Sequence, residues 1–265
     1  MQLVPYLKEY GYNYIELLPI GEHPCDESWG YQCSGFYSPT SRYGTLDDYK
    51  KMIDILHHND IGVIMDFVPV HFAVDAYALA KFDGTALYEY PHKDVGNSEW
   101  GSCNFMHSRG EVRSFLQSCA NYWLKEYHVD GVHLVGFAPL SLLAEDPYLK
   151  DLKLWGEGWK EGDSRRICEY NSGFMMDMRR FLKGDEGMLS ALSYHIRHNP
   201  DHMGVINYMA NVNGFTMMDM VSYNEKHNED NGEDNQDGSD QNQSWNCGAE
   251  GPVRKKKFSV CGFVS

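Results

Sequence analysis

Glu157 stands between two indoles in the run Leu154-Trp155-Gly156-Glu157-Gly158-Trp159. Flanking indoles such as Trp155 and Trp159 can desolvate a carboxyl group, and desolvation moves a carboxyl toward the range a general acid needs. A second carboxylate, Asp66, sits in the apolar run Gly62-Val63-Ile64-Met65-Asp66-Phe67-Val68, and His71 follows it closely. Either residue can bind a polar ligand, and Asp66 can equally cap the loop that follows. His133 lies in Val129-Asp130-Gly131-Val132-His133-Leu134-Val135-Gly136. An imidazole at a strand end can act as a base or a metal ligand. No second ligand stands at close spacing, so the sequence favours a core histidine with its hydrogen bonds satisfied, and no metal.

These residues must be positioned by alternating elements. Apolar bursts at 14–20, 62–68, 129–135, 152–155, 167–170 and 205–209 read as about six strands. Helical periodicity occupies 3–10, 111–128, 175–182 and 188–198, and Thr45 with Asp47 and Asp48 reads as the capped start of a helix reaching about His58. Strands alternating with helices predict an α/β fold with a parallel sheet. Residues 222–247 are rich in Asn, Asp, Glu and Gly and read as a solvated loop. Placing Gly238 at the fixed glycine of a calcium loop puts Ser244 where a bidentate Glu is required, so no calcium site is expected there.

The chain has 265 residues, enough for one large domain, and a net charge of −15. That charge argues against a nucleic-acid partner, whose phosphates it would repel, and is compatible with a neutral polymer. No window approaches 18 consecutive apolar residues, so no membrane partner is expected. The seven cysteines are odd in number and irregularly spaced, which predicts free thiols in a reducing, cytoplasmic setting. No leader peptide is read at the start.

Several segments together resemble the α-amylase superfamily, glycoside hydrolase family 13. Trp29-Gly30-Tyr31-Gln32 with Ser38-Pro39-Thr40-Ser41-Arg42-Tyr43-Gly44-Thr45 is similar to a loop of glycogen branching and debranching enzymes. Asp66-Phe67-Val68-Pro69-Val70-His71 resembles the family's first signature. Residues 207–215, then Tyr223-Asn224-Glu225-Lys226-His227-Asn228 and Ser244-Trp245-Asn246-Cys247-Gly248, are similar to isoamylase-type debranching enzymes.

The resemblance implies a (β/α)8 barrel, of which strands 2 to 7 are present, with its site at the C-terminal strand ends. It also implies a retaining mechanism on α-glucan, with an Asp nucleophile, a Glu acid/base and a second Asp that binds hydroxyls. The nucleophile motif, Gly-Phe-Arg-any-Asp, falls on residues 131–135, which puts Val135 at the Asp and His133 at the Arg. The acid/base falls on Glu157. The third carboxylate falls on Asn213, before Gly214-Phe215-Thr216. Trp29 and Tyr31 would stack on a glucose ring, and Asp66, His71, His133, Trp159 and Asn213 complete the implied substrate-binding set.

Val70 replaces the Asn that binds calcium in many amylases, so neither metal nor cofactor is expected. Valine has no lone pair and cannot form a glycosyl-enzyme ester. The expectation is therefore a catalytically degenerate glucan-binding protein, acting alone or with an active homologous subunit. Its alternatives are an active enzyme with a non-standard nucleophile, for which Asp177 is the one candidate, and a fragment without function. Residues 1–252 are read as the partial barrel and 253–265 as a tail unlike the family. The missing first and eighth strands point to a piece of a longer protein or to completion by another chain.

Overall fold

The computed structural model describes residues 2–98, 100–136, 141–156, 167–199, 201 and 203–251. Two compact units divide the chain, Met1–Glu169 and Tyr170–Ser265.

The first unit begins with α1 (Leu3–Glu9) and β1 (Tyr14–Leu17). A long loop carries β2 (Gly21–Glu22) and β3 (Gly35–Pro39), which pair antiparallel. Then come α2 (Leu46–His57), β4 (Gly62–Phe67), β5 (His71–Phe72), α3 (Lys93–Gly96) and β6 (Cys103–Asn104). The order closes with α4 (Gly110–Tyr127), β7 (Gly131–Leu134), α5 (Ser141–Ala144), β8 (Lys153–Gly156) and β9 (Ile167–Asn171), whose last residues enter the second unit. The chain-order expectation of about six main strands holds. The sheet has six, ordered β1-β4-β7-β8-β9 and then β10 (Gly204–Asn207), and the first four pairings are parallel. Such a sheet is an incomplete (β/α)8 barrel.

Register sorts the residues of these strands onto two faces, because side chains alternate along a strand. Tyr14 is level with Gly62, Glu16 with Ile64, Ile64 with Gly131, and Asp66 with His133 and Trp155 in turn. These residues share one face, which is where the polar side chains lie. The opposite face presents Ile15, Leu17, Val63, Met65, Phe67, Val132, Leu134, Leu154 and Ile167, all in or against the hydrophobic core. Helices cover that apolar face. On α4 the buried residues Val112, Leu116, Cys119, Ala120, Trp123 and Tyr127 recur at helical spacing and form one stripe. Trp123 is fully buried and its indole N–H donates to the Phe36 carbonyl at 2.9 Å. The start of α2 is fixed by a reciprocal capping box: the Thr45 hydroxyl accepts from the Asp48 amide, and the Asp48 carboxylate accepts from the Thr45 amide.

Gly131 is closely packed on the polar face. A Cβ there would meet the Lys153 carbonyl at 2.7 Å and Ile64 Cδ1 at 2.8 Å. Because one neighbour is backbone in a parallel pairing, it cannot step aside. Gly131→Ala is expected to cost about 1–3 kcal/mol, the usual penalty for overpacking. Urea unfolding measures it, and an unchanged midpoint would contradict the close packing.

The second unit holds α6 (Ser172–Lys183), α7 (Met188–Arg197) and β10. Asn171 caps α6 by accepting from the Phe174 amide at 2.9 Å, and Gly184 closes it in the left-handed region at φ 93°. Asp177, the candidate for a displaced nucleophile, pairs with His195 of α7 at 3.0 Å. It serves as a helix-to-helix tie.

The expectation of a plain solvated loop at 222–247 needs correcting. Many of its side chains are exposed, but the segment is tied to itself. The buried Lys226 ammonium donates to the carbonyls of Asp237 and Gly238 at 3.0 and 3.1 Å and pairs with Asp240. Glu250 accepts from Asn246, from the imidazole of His227 and from the Asn224 amide, and these hydrogen bonds hold its carboxyl at about 2. Composition missed this because asparagine and aspartate read alike whether they bond water or the local backbone.

The cysteines at 25, 33, 103 and 119 are free thiols, as their spacing suggested. Cys33 and Cys119 are buried, and Cys25 is exposed. Among the described residues no helix is long and apolar enough to cross a membrane. The tail from 252 onward lies outside the described residues.

Candidate functional site

The polar side chains gather where β1, β4 and β7 run side by side. His133, with its side chain only 10% exposed, donates from Nδ1 toward Glu16 Oε1 at 2.9 Å and Asp66 Oδ1 at 3.1 Å. Asp66 is 2% exposed, and its other oxygen accepts from the Tyr31 hydroxyl at 2.7 Å. The strands explain the convergence. Asp66 and His133 are register partners on adjacent parallel strands, so their side chains emerge on the same face at the same height. Glu16 reaches in from β1.

Electrostatics follow from burial and proximity. Burial alone would pull the His133 imidazole down, but the hydrogen bonds and charges of Asp66 and Glu16 overcome it and push the group up to about 9. His133 is therefore an imidazolium at neutral pH. Burial pushes the Asp66 carboxyl above its usual range; the bonds from His133 and Tyr31 oppose this, and the neighbouring Glu16 carboxyl adds to it. Tyr31 is held protonated, first by burial and then by its bond to Asp66. His133 thus has hydrogen-bond partners, and two of them are carboxylates. Glu16 is the participant that sequence reasoning missed. The signal was a lone acid inside the otherwise apolar burst Tyr14-Ile15-Glu16-Leu17.

Other expected residues fall elsewhere. His71 opens β5, is 8% exposed, has no partner for Nδ1 among the described residues, and has its imidazole pulled down by burial. The exposed Trp100 lies against its ring at 5.8 Å between centroids. Trp29 is 60% exposed on a left-handed turn at φ 52°, so it does not pack its loop onto the sheet. Gly30 beside it leaves no room for a side chain, since a Cβ would meet the Pro19 carbonyl at 2.2 Å. Val135 follows β7 and is half-buried, its N–H donating to the Phe67 carbonyl at 3.0 Å. In the second unit Asn213 is exposed, with its amide donating to Asn211 Oδ1 at 2.9 Å. Glu157 and Trp159 lie outside the described residues.

The segment that carries Glu16, Tyr31, Asp66 and His71 is the part of the chain that matches a known family. Residues 1–94 match the family described as alpha amylase, catalytic domain. Over that segment the chain is similar to the α-amylase catalytic domain. Similar proteins include a 1,4-alpha-glucan branching enzyme GlgB of Nitrosospira multiformis, 54% identical over 142 residues, which is 53% of this chain and 19% of that protein. The GlgB of Oceanobacillus iheyensis is 50% identical over 156 residues, 58% of this chain and 24% of its own length. That of Fusobacterium nucleatum is 52% identical over 132 residues, 50% and 22% respectively. The matched part of the chain thus spans less than a quarter of each of these relatives. Asp66 and His71, within the matched segment, lie at and just beyond the C-terminal end of β4.

Proposed function

We propose that this chain binds branched α-glucan through an α-amylase-type site and does not cleave it, alone or beside an active homologous subunit. The observation that carries this reading is the pairing at Asp66. At the position where the resemblance implies arginine, His133 takes over the ion pair, while Val135, at the implied nucleophile, offers no oxygen. A stray loss of the nucleophile would leave its cationic neighbour unpaired, a costly state in a buried site. Here the neighbour has changed as well and is fully engaged. Loss of a catalytic nucleophile removes on the order of 10⁴–10⁶ in rate in comparable sites.

The ligand class is supported from both halves of the chain. Relatives matching about half of it carry the name 1,4-alpha-glucan branching enzyme, and residues 207–248 resemble debranching enzymes. Both readings share a branched α-glucan. Our reading favours the debranching subgroup for the later segments. Asp177 gives no support to an active alternative, because its carboxylate is committed to His195.

The test is a titration of the full chain with a branched maltooligosaccharide, followed by Trp fluorescence and thermal melting together. Saturable binding with a rise in Tm is expected, weakened at least about tenfold by Asp66→Asn, a loss of about 1.4 kcal/mol. A flat titration with no shift in Tm would remove the glucan reading. Release of reducing ends from glycogen, abolished by Glu157→Gln, would instead make the chain an enzyme.

A further inference from the structure

Glu16, Asp66 and His133 each turn one ligand atom into a common space, and these three atoms all lie within 4.8 Å of one another. We propose that they form a binding site for a single divalent first-row transition ion of the manganese-to-zinc class. The inference stands apart from the glucan reading, since it needs no sugar and no catalytic step.

The donor set argues for the class. One imidazole nitrogen with two carboxylate oxygens is too nitrogen-rich for a calcium or magnesium cage and too poor in sulfur for a copper(I) or iron–sulfur site. Such mixed sites suit manganese, iron and zinc. Spacing fits as well. Ligands about 2.0–2.2 Å from a shared ion, at angles near 90–110°, stand roughly 2.8–3.5 Å apart. His133 Nδ1 lies 2.9 Å from Glu16 Oε1 and 3.1 Å from Asp66 Oδ1. The ion would take the place now held by the shared proton, so little rearrangement is required.

The surroundings supply what ligands of this kind need. Tyr31 fixes Asp66 by donating to its other oxygen at 2.7 Å, which leaves Oδ1 aimed at His133. Outer hydrogen bonds of this sort orient metal ligands and strengthen the site. Trp155 stacks on the His133 ring at 6.4 Å between centroids, and its buried indole N–H has no acceptor among the described residues. A water held by the ion would give that N–H a partner, a separate sign that the face is built to hold something more. Three protein ligands also leave coordination positions open for such water. Sequence spacing concealed the site because its ligands come from β1, β4 and β7 and meet only through the parallel register.

Manganese(II) is the probe, because seven cysteines would take up zinc without reference to this site. The metal-stripped full chain is titrated with Mn²⁺ in the absence of sugar, and the free-ion paramagnetic resonance signal is followed. One ion per chain is expected, with at least a tenfold loss of affinity in Glu16→Gln. Glu16 is partly exposed, so that variant should keep the wild-type circular dichroism. On wild-type protein, substoichiometric Mn²⁺ should broaden the His133 ring resonances before those of the other histidines, a readout that needs no variant. Absence of saturable binding would overturn the proposal. So would binding that Glu16→Gln leaves unchanged, or broadening that starts at exposed histidines.

Discussion

His133→Leu should destabilise the first unit by about 3–5 kcal/mol at neutral pH, the cost of removing one partner from a buried ion pair. Leucine fills similar space, so the loss is electrostatic. Among the described residues Asp66 would keep the Tyr31 hydroxyl as its side-chain donor, while lying buried next to Glu16. Adding Asp66→Asn should recover most of the loss, because an amide carries no charge to bury. Urea unfolding of the two variants, in chelator, is the measurement. A deficit below about 1 kcal/mol would show that the pair is solvated.

The same pair sets a pH dependence. The folded pKa of His133, about 9, lies above its unfolded value of roughly 6.5. Its contribution is therefore fully present below about pH 6.5 and is lost as the pH rises through about 9. Asp66 has the same sign but acts from lower pH, since its raised folded pKa means that stability is lost as the pH rises from its unfolded value of roughly 3.9. The wild type should weaken across that alkaline window, and His133→Leu should stay level through it.

Arg179→Met should be comparably damaging in the second unit, at about 3–5 kcal/mol. Arg179 is 4% exposed and its guanidinium donates to the carbonyls of Met209 at 2.6 and 2.8 Å, Asn242 at 3.0 Å and Phe215 at 3.3 Å. One side chain thus ties α6 to the segment after β10 and to the far end of the polar loop. Methionine keeps the stem and removes every donor, leaving three carbonyls to be resolvated or stranded at about 1–3 kcal/mol each. Lysine should restore only part, since an ammonium cannot reproduce the planar fork. Hydrogen exchange across residues 209–242 checks the claim, and protection retained in the methionine variant would refute it.

What could be read in the sequence was what is local. The capping box at Thr45 and Asp48, the stripe on α4 and the six main strands all depend on residues within one turn or one alternation of each other. The short pairs β2–β3 and β5–β6 went unseen because their shorter strands run only two residues, too few to show a period. The Glu16–Asp66–His133 cluster was illegible for another reason. Its members are scattered along the chain, and only the register of three parallel strands brings them together. The burial of Arg179 left no local trace either, because its partners are main-chain carbonyls that every residue possesses.

The free thiols described above give the molecule an internal clock. Burial pushes Cys33 up to about 12 and Cys119 well above its ordinary value, so neither presents thiolate to a reagent while the first unit is closed. Both side chains belong to the core shared with α4, and Cys119 donates to the Phe36 carbonyl at 3.0 Å. Alkylation of Cys25 should run at the speed of an exposed thiol, whereas labelling of Cys33 and Cys119 must wait for the core to open. The ratio of the two rates, followed by mass spectrometry on unmodified protein, reports how often the first unit opens under native conditions.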